Sequence, residues 1–226
     1  MKDLADKWNK TASGIPSDKD PSYYAIERET LFTRNAKVCD LGGCTGIDSI
    51  YFIKQGHKVT LVDISDYALN EAVIKAEALN LRSRLFISHV DFSEGALPFK
   101  DKTFNVVYSR LALHYFPSRI LSELFKDIHR ILKSEGRAFI TLKSPDDKDE
   151  MKYLNETAKK IEDGVFVGDG HIITRFSIEK LVEILKDANI HDYEVTPYEE
   201  TLEGRKDSVK SGLSEFLLNE VQFVRQ

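Results

Sequence analysis

The stretch Lys37-Val-Cys-Asp-Leu-Gly-Gly-Cys-Thr-Gly-Ile-Asp-Ser-Ile-Tyr-Phe52 decides the fold. Val38 to Leu41 is a short apolar run of the kind that forms a buried parallel strand. From Ile47 onward the apolar residues recur at helical spacing. Between the two, Gly42, Gly43 and Gly46 make a tight loop where the backbone can approach a ligand with no Cβ in the way. Strand, glycine loop and helix N-terminus together make a cofactor cradle of the Rossmann type. Spacing then selects the cofactor. A dinucleotide site needs glycine at the first, third and sixth positions of the loop. Counted from Gly42, the third and sixth are Cys44 and Ile47, which disfavours a nicotinamide-dependent oxidoreductase. The pattern present is Asp40-x-Gly42-x-x-x-Gly46, with a carboxylate at the strand end. An acid there repels a phosphate and attracts an ammonium or a sulfonium.

This pattern resembles motif I of the class I S-adenosylmethionine-dependent methyltransferases, usually written Asp-Leu-Gly-Cys-Gly-Thr-Gly. Here the middle pair is inverted to Gly43-Cys44, so a Cβ and a sulfur stand where the family has a glycine. Since Gly42, Gly43 and Gly46 remain, the expectation is that Gly43 takes over the tight turn and the sulfur of Cys44 points away. The alternative is that the thiol narrows the methionine end of the pocket. That would suit a regulatory or degenerate protein of this fold that binds cofactor without turnover.

The downstream elements extend the resemblance. Lys58 to Asp63 is a second strand ending in a carboxylate, where a Rossmann-like fold meets a ribose. The resemblance assigns Asp63, with its neighbour Ile64, to the adenosyl ribose; a helix-capping acid is the plain alternative. Leu85 to His89 is a third strand. Asp91 after it falls where the family's third motif accepts from the adenine amino group, with Phe92 lining the adenine slot; otherwise Asp91 is a turn residue. Leu97-Pro-Phe-Lys-Asp-Lys-Thr-Phe104 leads into a fourth strand, Phe104 to Tyr108, and this run resembles the small-molecule branch of the family. Its tip, Ser109-Arg-Leu-Ala-Leu-His-Tyr115, is expected to face the methyl group, with Ser109 toward the cofactor and Arg110 and Tyr115 toward the acceptor. His114 is either a general base, since histidine titrates near neutrality, or a packing residue. His171 is the second candidate base. The Asn/Asp-Pro-Pro-Tyr/Phe motif used on amide or base amino groups is absent from this tip.

The rest of the chain frames these residues. Residues up to about Ser22 are polar and turn-rich and read as an arm over the cofactor face. Tyr23 and Tyr24 open a helix capped by Ser22 and either pack in the core or close over cofactor or substrate. Ser118 to Lys133 is a strongly amphipathic helix closed by Gly136, and Arg137 to Leu142 a fifth strand. Ser144 to Phe176 reads as a charged, irregular insertion with one helix around Lys152 to Ile161, forming a substrate lid. Asp146, Asp147 and Asp149 within it read as a solvated surface rather than a metal site. A last helix, Ser177 to Ala188, precedes an antiparallel pair, Tyr193 to Tyr198 and Phe216 to Val224.

The expected fold is therefore α/β: a three-layer sandwich with a seven-stranded, mostly parallel sheet, a C-terminal antiparallel strand and helices on both faces. One domain is expected over 1–226, divided into an arm (1–35), a cofactor-binding core (36–143), a substrate-side insertion (144–176) and a C-terminal helix and strand pair (177–226). The likeness is specific from Val38 to Arg137 and loose elsewhere, with some similarity to tellurite-resistance-type and thiopurine-type small methyltransferases. The expected cofactor is S-adenosylmethionine and the expected acceptor a small molecule. A net charge of −5 argues against a broad nucleic-acid-binding face. No apolar run approaches the ~20 residues of a membrane span. Without a signal-peptide pattern, and with only Cys39 and Cys44, a cytoplasmic location is expected.

Overall fold

Two helices, α1 (Lys2–Ser13) and α2 (Tyr23–Glu29), lead into β1 (Lys37–Leu41), the strand of the quoted stretch. The computed structural model describes residues 2–16, 19–168, 170–201 and 215–226. Asp18 of the arm and the polar connection expected before Phe216 lie outside them. After β1 come α3 (Ile47–Lys54), β2 (Lys58–Asp63), α4 (Asp66–Ala78), β3 (Leu85–His89) and β4 (Phe104–Arg110). Then α5 (Ser118–Ile131) runs directly into β5 (Leu132–Lys143).

These strands are the parallel half of a seven-stranded sheet of order β3-β2-β1-β4-β5-β10-β9, completed by β9 (Tyr193–Thr201) and β10 (Glu215–Val224). β10 runs antiparallel to both β5 and β9, as the sequence pattern expects. The chain builds outward from β1 to β3, then returns to place β4 on the other side of β1. That reversal opens a crevice at the carboxyl ends of β1 and β4, where open α/β sheets bind their ligands.

Helices cover both faces, so the strands are apolar on both sides. Val38, Val106 and Tyr108 pack against α2, α3 and α4, whereas Cys39, Leu41 and Val107 pack against α5 and α7 (Ile178–Asp187). Alternate residues of one strand thus enter opposite cores, the period-2 rule applied to a sheet buried on both faces.

Three segments differ from expectation. The N-terminal arm is a helix, because Leu4, Trp8 and Ala12 recur four residues apart and Ala12 is fully buried. The turn residues that suggested a loop end it, with the Gly14 and Ile15 amides donating to the Thr11 and Ala12 carbonyls. The fifth strand starts at Leu132, five residues early. Leu132 pairs with Phe104, and an irregularity in register absorbs the residues before Arg137. The insertion is ordered. Its helix α6 (Lys148–Thr157) starts earlier than expected because the Asp147 side chain caps it at the Glu150 amide. Three short strands follow, β6 (Lys159–Glu162), β7 (Val165–Gly168) and β8 (His171–Thr174), forming a separate antiparallel sheet with Val165 and Phe166 in the core.

Candidate active site

The glycine loop hangs on β1 and β2. Gly42 donates its amide to the Val62 carbonyl (2.7 Å) and has φ +71°. A Cβ there would collide with the Ala112 side chain, so the crossing of this loop and the β4 tip admits only glycine. Gly43 has no positive φ; a Cβ on it would strike Asp40 and Leu61. The left-handed turn falls instead on Cys44, at φ +50°. The expectation that Gly43 takes the turn is corrected. Cys44 carries the turn itself and lines the cavities on both sides of the loop. Burial pushes its thiol up to about 11, so the sulfur stays protonated. Gly46 sits behind the loop, where a Cβ would meet the Ala72 Cβ of α4 at 2.7 Å.

Asp63 ends β2 facing this loop. Its Oδ2 accepts from the Cys44 amide and its Oδ1 from the Ser65 amide, each at 2.9 Å. Burial raises its pKa, and these amides pull against the rise. Asp91 lies just beyond β3 and accepts from the Ser93 amide and hydroxyl (2.8 and 2.6 Å). Asp63, Ile64, Asp91 and Phe92 stand together along one wall of a cavity of about 970 Å³.

The opposite wall comes from the β4 tip and the turn after it, with Arg110, Ala112, Tyr115 and Phe116. Arg110 is held by two nitrogens on Oε2 of the buried Glu200 in β9 (2.9 and 2.6 Å). The remaining walls come from the arm and the insertion, the segments expected to cover this face, although the helix and the strand found there were not expected. α1 contributes Leu4, Lys7, Trp8 and Thr11, and β8 contributes His171 and Ile172. The Trp8 ring meets Tyr115 edge-on at 4.9 Å, and Tyr115 lies 5.9 Å from His171. The four-residue period of Leu4, Trp8 and Ala12 was the available signal for α1. His171 was an expected site residue, but nothing local in the sequence points to β8, the strand that carries it.

Several expected site residues lie off this cavity. Asp40 is buried under the loop, accepting from the Ser49 hydroxyl (2.6 Å). Burial, with Asp48 and Asp63 nearby, lifts its pKa to about 8. It borders a second, polar cavity of about 150 Å³ with Gly43, Asp48, Tyr108 and the other side of Arg110. Ser109 is buried and donates to the Leu41 carbonyl, tying β4 to β1. Tyr24 is fully buried and donates to Glu220, and neither it nor Tyr23 borders either cavity. His114 is buried beside Tyr115, its ring 4.3 Å away, and its Nδ1 has no hydrogen-bond partner among the described residues. Burial and the charges of Arg175 and Lys143 hold it neutral, well below the usual histidine range. Asp147 is the α6 cap and Asp146 is bonded to Ser144; among the described residues no cluster of His, Cys, Asp or Glu is placed to hold a metal ion.

Comparison with known proteins agrees with this architecture. Residues 38–136 match the family described as a methyltransferase domain. A sterol 24-C-methyltransferase of Gibberella zeae is 34% identical over 101 residues, which are 44% of this chain and 26% of that protein. The chain therefore matches about a quarter of the length of this relative. Among solved structures, a SAM-dependent methyltransferase of Methanosarcina mazei superposes with a TM-score of 0.68 at 19% identity, covering 91% of this chain and all of that one. The 1,6-didemethyltoxoflavin-N1-methyltransferase of Burkholderia thailandensis, solved with 1,6-didemethyltoxoflavin and S-adenosylhomocysteine, gives a TM-score of 0.68 at 18% identity. That alignment covers 99% of this chain and 86% of the other. Residues 38–136 thus match a methyltransferase domain, and over nearly its whole length the chain has the fold of solved S-adenosylmethionine-dependent methyltransferases.

Proposed function

We propose that the protein binds S-adenosylmethionine and transfers its methyl group by direct displacement to a small-molecule acceptor. The observation that carries this reading is the cavity at the sheet's crevice. At about 970 Å³ it lies near the top of the usual range for small-molecule sites (about 300–1,000 Å³), which leaves room for two molecules side by side. One wall carries two carboxylates and loop backbone, the other mostly apolar and aromatic side chains. The residues present fit the cofactor. Asp63 is fixed by two backbone amides and keeps a carboxylate on the wall for vicinal hydroxyls, and Asp91 with Phe92 offers an acceptor beside an apolar surface. At the loop stand Asp40, Asp63 and a neutral thiol, and the nearby cations are engaged, Lys75 with the Thr45 carbonyl (3.2 Å) and Arg110 with Glu200.

When bound, S-adenosylmethionine supplies a sulfonium methyl open to attack. The chain's own contribution is to align the acceptor and exclude water, the main lever in such a displacement. His171, on the cavity wall, is positioned to take a proton from an acceptor that carries one. His114 is not, since it is buried and does not line the cavity. The composition, with a net charge of −5, supports a small acceptor over a nucleic acid.

The test is calorimetry with S-adenosylhomocysteine. Asp63→Ala should weaken binding at least about tenfold, from loss of charge-assisted hydrogen bonds worth roughly 1.5–3 kcal/mol each. Asp63→Asn, which keeps one oxygen, should fall between. Unchanged affinity in Asp63→Ala would move the ribose site elsewhere. His171→Ala should leave affinity intact and lower turnover by about 10²–10⁴ where the acceptor needs a base.

A further inference from the structure

The aromatic part of the cavity lining has its own chemistry. Its surface comes from three separate elements: Trp8 of α1, Tyr115 and Phe116 after β4, and Ile172 of β8. The rings are already ordered against one another, with Trp8 edge-on to Tyr115 and Phe92 tilted to Phe116 at 6.1 Å. Preformed aromatic walls present large, rigid contact area to a flat partner. The charged groups in this part are engaged elsewhere: Arg110 is bonded to Glu200, and the Lys7 ammonium lies 5.5 Å from the centre of the Trp8 ring. One polar group in this part is uncommitted. The Tyr115 hydroxyl has no hydrogen-bond partner among the described residues, while its ring is clamped by Trp8, His114 and His171. Burial raises the Tyr115 pKa, so the hydroxyl stays protonated and can donate.

We propose that the methyl acceptor is a neutral, planar aromatic or heteroaromatic molecule, held against Trp8, Phe116 and Ile172, with a ring heteroatom or carbonyl accepting from the Tyr115 hydroxyl. This rests on the methyltransferase reading and narrows its acceptor. Tyr115 is then a specificity residue. A site built to hydrogen-bond one edge of its substrate rejects analogues that leave the donor unpaired.

The experiment separates the two readings. Calorimetry first measures S-adenosylhomocysteine binding; its failure would remove the methyltransferase reading and this proposal with it. The saturated complex is then titrated with 4-hydroxyquinoline and 5-hydroxyindole, and with cyclohexanol, spermidine and hexanoate as non-planar, cationic and anionic probes. The aromatic pair should bind at least about tenfold more tightly than the other three. Tyr115→Phe should weaken 4-hydroxyquinoline by about three- to tenfold and Trp8→Leu should weaken both rings, while S-adenosylhomocysteine affinity holds within about twofold. The proposal is overturned if spermidine or hexanoate binds more tightly than the rings. It is equally overturned if neither ring binds at about 1 mM, or if ring binding is indifferent to both substitutions.

Discussion

Asp40 and Cys44 lie four positions apart in the loop motif and carry opposite lessons about single residues. Asp40 keeps the family's acid but sits beneath the loop, its pKa lifted from 3.8 to about 8, first by burial and then by Asp48 and Asp63. A carboxyl whose folded pKa is raised holds a proton that the unfolded chain has released. Its contribution is therefore fully present below about pH 4 and is lost as pH rises toward 8. Thermal melts at pH 5 and pH 8 should show the wild type losing about 7–15 °C more than Asp40→Asn, which cannot titrate. Equal losses would mean that Asp40 is ionised in the fold. Cys44 departs from the family and occupies the left-handed region itself, at a cost of roughly 1–2 kcal/mol that glycine avoids. Its bond to Asp63 comes from the backbone, so Cys44→Gly keeps it. Homocysteine-cofactor affinity should stay within about threefold, under the ~1.4 kcal/mol of a tenfold change. A gain of tenfold or more would mark the thiol as an obstruction and favour binding without turnover. The places of Gly42, Asp63 and Asp91 were legible because each stands at or just past the carboxyl end of one of three successive apolar strands. The turn at Cys44 was not, because cysteine has no local signature for positive φ.

Among elements, α1 changes the picture most. It roofs the cavity, and its Asn9 side chain latches it to α4: the Asn9 Oδ1 accepts from the Ser65 hydroxyl (2.7 Å) and the Tyr67 amide (3.2 Å). Asn9→Ala removes both bonds, worth about 1–3 kcal/mol of docking. Limited proteolysis should then cut near residues 13–16 several-fold faster, while the melting of the core shifts little. Unchanged cleavage would show that Trp8 and Ala12 hold the helix without the latch. Sequence spacing revealed the helices that bury a long apolar face, such as α5. It hid α1, whose apolar side is one residue wide per turn, and the β6–β8 sheet, whose strands span four residues each and gain meaning only against the turn after β4. Short elements are specified by what they pack on, and that information is not local.

At the scale of the molecule, the two ends of the described chain are tied across the sheet. Glu220 in β10 accepts from the Arg28 Nε and Nη2 (2.6 and 2.7 Å) and from the Tyr24 hydroxyl (2.8 Å), joining α2 to a strand nearly two hundred positions away. Removing one partner of such a buried set strands the others, so Glu220→Ala should cost about 3 kcal/mol in urea denaturation and Glu220→Gln less. A loss below about 1 kcal/mol would show that water readily replaces the carboxylate. The number of strands and the antiparallel close of the sheet were readable, because alternating strands and helices with a final antiparallel pair admit few topologies. This long-range tie was not. The same strand also sets a timetable. β10 lies between β5 and β9 although it follows both in the chain. On a ribosome, β9 emerges with no partner and the flank of β5 stays open until residues 215–224 clear the exit tunnel. Nascent chains stalled before that point should need a chaperone to cover two bare strand edges, and the α2 clasp on Glu220 would close last.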